Sequence, residues 1–163
     1  MPSPRNLTAR RFTVGLISDT HGLLRPGAVE ALRGSDFIVH AGDIGDPAIL
    51  AALARLAPLT AVRGNVDRGS WAAALPETAV LTIGDAAILV IHNLAALDRD
   101  PLTAGFRVVV SGHSHHPAWR EQDGVLFVNP GSAGPRRFTL PIALGRLRVA
   151  GKRMTAELIE LAA

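Results

Sequence analysis

The chain has 163 residues, 48% of them hydrophobic and 4% aromatic, and its 17 basic side chains exceed its 14 acidic ones by a formal charge of +3. That size and apolar content suit one ordinary globular domain. The absence of cysteine excludes disulfides, thiolate catalysis and Cys-ligated zinc or iron–sulfur centres, so any metal must be held by oxygen and nitrogen donors.

Residues 1–10 read as a flexible tail ahead of a single domain over 11–163. No apolar segment of signal-peptide length precedes Phe12, and no run approaches the ~20 residues of a membrane span, so the expected location is the cytoplasm. Phe12 to Ser18 (FTVGLIS) is an apolar β-type run that ends in polar DTHG and reads as a buried strand. Pro26 opens a short amphipathic helix closed at Gly34, and a second strand runs from Asp36 to His40. A helix from Pro47 to Leu56 and a third strand from Pro58 to Arg63 continue the alternation, which implies parallel pairing.

After Pro76 the rhythm changes. Thr78 to Ile83 and Ala86 to Ile91 flank Gly84-Asp85 as a hairpin, and Ala118 to Gln122 and Val125 to Asn129 flank Asp123-Gly124 as another. Arg107 to Ser111 is a further β run, and Pro141 to Val149 is expected to pair with Arg153 to Leu161 across Ala150-Gly151. The stretch from Asn93 to Arg107 is short and interrupted by Pro101, which argues against a full crossover helix and for a lower, more open wall there. The expected architecture is α/β, a four-layer αββα sandwich of two mixed sheets flanked by helices.

On this map the polar clusters DTH (19–21), GD (42–43), GN (64–65), HN (92–93) and GHSH (112–115) each follow an apolar β run. Strand ends of that kind line the crevice where ligands bind in α/β sheets. Asp19, Asp43, Asn65, His21, His92, His113 and His115 make a mixed O/N donor set suited to Mn, Fe, Zn, Co or Ni. Seven donors exceed the needs of one ion and suit two, about 3.5 to 4 Å apart, with Asp43 as the natural bridge.

In that order these clusters resemble the motif ladder of the calcineurin-like metallophosphoesterases, over Ser18 to Ser132. The short length, VRGN at 62–65 and NPGS at 129–132 are similar to the small single-domain phosphodiesterase branch, which also contains the small retromer subunit. The resemblance implies Asp19, His21 and His115 on a first ion, Asn65, His92 and His113 on a second, and Asp43 shared. It implies two divalent ions, Mn foremost with Zn, Fe, Ni or Co as alternatives, a bridging hydroxide attacking phosphorus in line, and catalytic roles for Asp43, Asn65 and His113. The expected substrate is a small phosphate ester, most readily a phosphodiester, contacted by Asn65.

Two positions depart from the pattern. Many relatives carry a His after GN, serving as general acid or phosphate contact; Val66 can do neither, and general acid catalysis is typically worth 10² to 10⁴-fold. Asn93 stands where a Gly usually follows the metal-binding His; Asn tolerates positive φ, which would keep the turn but send a side chain into the site. Arg136 is a candidate substrate contact beside Arg137, since guanidinium suits bidentate phosphate binding, with a solvated loop as the equal alternative. Arg63 is open in the same way. His40 reads as a hydrogen-bonding or packing residue near the site, Asp67 as a loop-orienting one, His116 as solvent-facing, and Trp71 and Trp119 as packing or interface residues.

Charge gives no sign of nucleic acid: Lys152 is the only lysine, and no basic run exceeds two residues. A nuclease of the same superfamily is therefore disfavoured, and homo-oligomerisation is left open. The principal alternative is a protein-binding scaffold that keeps the fold with weak catalysis or none.

Overall fold

The computed structural model describes residues 10–162, so the expected tail, Arg10 apart, lies outside the described residues. In chain order the elements are β1 (Arg11–Ile17), α1 (Pro26–Leu32), β2 (Phe37–His40), α2 (Pro47–Ala54), β3 (Leu59–Ala61), α3 (Ser70–Ala73), β4 (Thr78–Ile83), β5 (Ala86–Ile91), β6 (Val108–Val110), β7 (Ala118–Gln122), β8 (Val125–Asn129), β9 (Ala143–Ala150) and β10 (Arg153–Glu160). They form two mixed five-stranded sheets, ordered β10-β9-β1-β2-β3 and β4-β5-β6-β8-β7. The α/β class and the two mixed sheets are those expected from the sequence.

The three apolar clusters correspond to the three interfaces of this architecture. Period-2 alternation sends Val14 and Leu16 of β1 between the sheets, where they meet Ile88 and Val90 of β5, Val108 and Val110 of β6, and Leu147 of β9. Each such side chain, fully buried, contributes about 1.5–3 kcal/mol. Ile17 points the other way, joining Ala28 and Leu32 of α1 and Ile49 and Leu53 of α2 in the layer outside the first sheet. Gly15 lets α1 come down onto the strand, because a Cβ there would lie 2.5 Å from Leu32 Cδ2.

The layer outside the second sheet is thinner. Its cover is the 3-10 turn Leu94–Ala96 and the loop to Phe106, which pack Leu94, Leu97 and Phe106 on Leu89, Ile91 and Val109. This accords with the short β5–β6 connection and Pro101.

The hairpins form where the dipeptides placed them. Ile83 pairs with Ala86 around Gly84, which has φ 56°, and Gln122 pairs with Val125 around Asp123 and Gly124, both at positive φ as a type I′ turn demands. The last hairpin turns at Gly151-Lys152, one residue later than the Ala150-Gly151 expected, because Ala150 itself pairs with Arg153. The one-turn helix α3 has no periodic signal long enough to read from sequence.

β1, β2 and β3 run parallel, as do β5, β6 and β8. Their carboxyl ends carry the polar clusters of both sheets to one edge of the molecule. Among the described residues no helix is long and apolar enough to cross a membrane.

Candidate metal centre

Loops that leave these strand ends turn sharply, and they do so on non-glycine residues. Asp19, His21, Asp43, His113 and His115 have φ between 45° and 72°. Left-handed backbone is uncommon outside glycine and costs on the order of 1 kcal/mol per residue, a strain that gathers at functional sites. In DTH and GHSH the left-handed residues alternate with an ordinary one, which brings both donors of each pair round to the same side.

Asp19, His21 and His115 form one donor group. Asp19 Oδ2 is occupied by the chain, accepting from Ser18 Oγ at 2.6 Å and from the His113 amide at 3.1 Å. Its Oδ1 is buried without a hydrogen-bond partner and lies 3.4 Å from His115 Nε2 and 3.6 Å from His21 Nε2. Those two ring nitrogens are 3.3 Å apart. A carboxylate oxygen and two imidazole nitrogens facing one another, with one half of the carboxylate already satisfied, are a donor set that suits a borderline divalent cation. Burial lowers the His115 pKa, assisted by the charges of Arg137 and His21 and opposed by Asp19, so the ring is held in the neutral form that a metal ligand needs.

The second group is Asp43, His92 and His113, with Asn65 beside it. His92 Nδ1 donates to the Ala41 carbonyl at 2.7 Å, which fixes the ring and leaves Nε2 as the nitrogen facing inward. That nitrogen lies 3.2 Å from Asp43 Oδ2 and 2.9 Å from Asn65 Oδ1, and His113 Nδ1 is 3.2 Å from the same Asn65 oxygen. Burial pushes the Asp43 carboxyl up, but the His92 ring, the Val66 amide and the charges of His92 and His21 together hold it at about 2. Burial likewise pulls His92 down, and Asp43 and the Ala41 carbonyl outweigh it to raise the pKa. Asp43 Oδ2 is also 3.7 Å from His21 Nε2, so one carboxylate oxygen faces both groups.

All seven sequence-derived donors therefore meet in one cluster. Arg136 does not reach it through the hydrogen bonds it makes: the side chain is exposed and its Nε donates to the Leu140 carbonyl. Its neighbour Arg137 is the one whose charge is felt at His115. Asn93 departs from expectation. With φ −110° it is extended rather than left-handed, and its side chain caps the 3-10 turn by accepting from the Ala95 amide at 3.1 Å. Val66 stands beside the site, 43% exposed. His40 is fully buried and points away from the donors, its Nδ1 accepting from the Gly42 amide at 3.1 Å and its Nε2 bonded to Thr20 Oγ1 at 3.0 Å. Thr20 in turn donates to the Ile44 carbonyl.

Asp67 ties two loops together, its carboxylate accepting from the amides of Ile44, Gly45 and Gly64. Gly64 and Gly112 answer to close approach: a Cβ at Gly64 would collide with the amide nitrogen and Oδ1 of Asp43, and one at Gly112 with Ser18 Oγ. Three positioning residues escaped the sequence reading. Ser18 orients Asp19, Ser132 Oγ holds the Asp19 carbonyl at 2.9 Å, and Asn129 Nδ2 bridges the Gly112 carbonyl and Ser114 Oγ, both at 3.0 Å. Ser132 and Asn129 belong to NPGS, so the motif was visible while its task was not.

Comparison with known proteins gives the family and the fold. Residues 12–152 match the calcineurin-like phosphoesterase superfamily domain. The chain is 36% identical over 162 residues to the "Probable metallophosphoesterase" of Methanothermobacter thermautotrophicus, covering 92% of this chain and 93% of that one. Among solved structures, a "Novel Archaeal Phosphodiesterase" superposes with TM-score 0.75 at 23% identity, covering 90% of this chain and 99% of its own. Vps29 of Entamoeba histolytica complexed with Zn²⁺ superposes with TM-score 0.70 at 20% identity, covering 91% and 98%.

Proposed function

Belonging as it does to the calcineurin-like phosphoesterase superfamily, the chain is a metallophosphoesterase by family, and we propose that it hydrolyses phosphodiesters with two divalent ions. The observation that carries this reading is the placing of Asp43 Oδ2 between the two donor groups, with the orphaned Asp19 Oδ1 on one side and the Ala41-held His92 on the other. Asp19, His21 and His115 would hold the first ion, Asn65, His92 and His113 the second, and Asp43 both. Ions so held would supply a bound water of lowered pKa and positive charge to offset that of a phosphoryl group. Manganese suits the O/N donor set, as do zinc, iron, cobalt and nickel; the Zn²⁺ complex of Vps29 is a fold neighbour's example.

The chain's own residues would do the rest. Asn65 turns its oxygen to the imidazoles, which leaves its exposed Nδ2 to donate to a phosphate oxygen, and His113 stands on the same open side. Water's oxygen would join phosphorus as its proton passes to solvent, the ester P–O bond would break, and the alcohol would leave as its anion and take its proton from solvent. Val66 supplies no proton to it, so esters whose alcohols leave easily are favoured. Arg136 or its neighbour Arg137 would meet the anion from the loop after NPGS.

The same Val66 favours a second reading, a protein-binding scaffold on this fold, in keeping with the likeness to Vps29. Metal analysis with turnover of bis(p-nitrophenyl) phosphate separates the two. The hydrolase reading expects manganese-dependent turnover that chelation abolishes; absence of tight Mn or Zn binding in calorimetry, with no turnover, supports the scaffold.

A further inference from the structure

Beside the second donor group a cavity of about 750 Å³ opens along the outer face of the second sheet, sharing Asn65 and His92 with the cluster itself. It exists because the β5–β6 connection covers that face with only a 3-10 turn and a loop. Val80 of β4 is left 52% exposed, and Leu89, Leu97 and Phe106 complete an apolar wall. A phosphoryl group alone fills a small part of such a space, whereas cavities of roughly 300–1,000 Å³ hold whole organic ligands. The charges at the rim are largely cancelled: Arg63 pairs with Glu77 at 3.0 Å and Arg99 lies 3.8 Å from Asp98. Arg68 is the one lining arginine with no ionic partner among the described residues. The space thus sets an apolar wall of Val80, Leu89, Leu97 and Phe106 against a polar rim.

Resting on the phosphodiesterase reading above, we propose that this cavity receives a bulky apolar or aromatic ester group of the substrate, so that the chain prefers diesters of such alcohols to small alkyl diesters. Asn65 and His92 line both the cavity and the cluster, so an ester group attached to a phosphorus held beside them would extend into it.

Two measurements on manganese-loaded protein test this. One is turnover of phenyl p-nitrophenyl phosphate against methyl p-nitrophenyl phosphate, which share a leaving group. The other is calorimetric binding of phenylphosphonate against methylphosphonate, which are not hydrolysed. The expected preference for phenyl is tenfold or more in both, the size that burying one ring supports, and V80D brings both ratios to within about twofold of one. V80W, which fills the cavity instead of charging it, has the same effect, and a melting curve for each variant reports its folding. Equal values for phenyl and methyl in the unaltered chain, or ratios that V80D and V80W leave in place, overturn the proposal. A phenyl preference in binding without any turnover keeps the cavity and removes the hydrolase reading; turnover without preference does the reverse.

Discussion

Asp19, His21 and His115 lie largely beneath the surface, whereas the second donor group, Asp43, His92 and His113, ends on an exposed imidazole beside an exposed Asn65. The two also differ in what the chain does for them. In the first group one carboxylate oxygen is fully occupied by Ser18 and the His113 amide and the other is orphaned. In the second, every buried member has a fixed partner outside the cluster: Ala41 for His92 and Val66 for Asp43. On the two-ion reading, the under-satisfied group would keep a cation and the wired group, open on one side, would meet a ligand.

Asp43 belongs to both groups, so its replacement should abolish the distinction and have the largest effect. D43N is expected to reduce manganese-dependent turnover of bis(p-nitrophenyl) phosphate by on the order of 10³-fold, comparable to loss of a principal electrostatic contact. Unchanged turnover in that assay would remove Asp43 from its bridging place.

His40 gives a smaller effect, to be read in metal-free protein. Its Nδ1 accepts from Gly42, so a proton there would face another N–H; burial is the main cause lowering its pKa from 6.5 to about 4, despite the nearby Asp19 and Asp67. Between those values the unfolded chain binds more protons than the folded one. The contribution is therefore fully present above pH 6.5 and is lost as pH falls through about 4, a total of about 3 kcal/mol. Urea unfolding of metal-free protein at pH 7 and pH 4 should show this loss, and H40N, which keeps an acceptor for Gly42 but cannot be protonated, should flatten it. Identical pH profiles for the two chains would contradict the assignment.

Ser18 sharpens the comparison at the smallest scale. S18A frees Asp19 Oδ2 to rotate away from its set orientation and is expected to weaken metal binding at the first group by 10- to 100-fold, the usual range for a residue that orients a ligand. Calorimetry should show this for the tighter of the two binding events, with the weaker one little altered.

Much of this arrangement is legible in the sequence. Apolar runs ending in DTH, GD, GN, HN and GHSH fix both the strands and the end at which their polar residues gather, and GD and DG dipeptides fix two hairpins. What was hidden depends on geometry that spacing does not encode. Nothing in DTH says that Asp19 and His21 both take left-handed backbone, or which Asp19 oxygen stays free. Asn93 is extended rather than left-handed because its own capping bond to Ala95 outcompetes the turn that a Gly would make. Ser18, Asn129 and Ser132 act through hydrogen bonds across 1 to 113 positions of sequence, a relation only the folded chain reveals.

Two ions in two unlike groups that share Asp43 would be counted in the metal stoichiometry of the purified protein after saturation with manganese and desalting, compared among the unaltered chain, H115A and H92A. Two ions per chain are predicted, falling to one in each variant, with the ion that remains in H92A the slower to leave on chelation. A single ion in the unaltered chain, or none, would contradict the account.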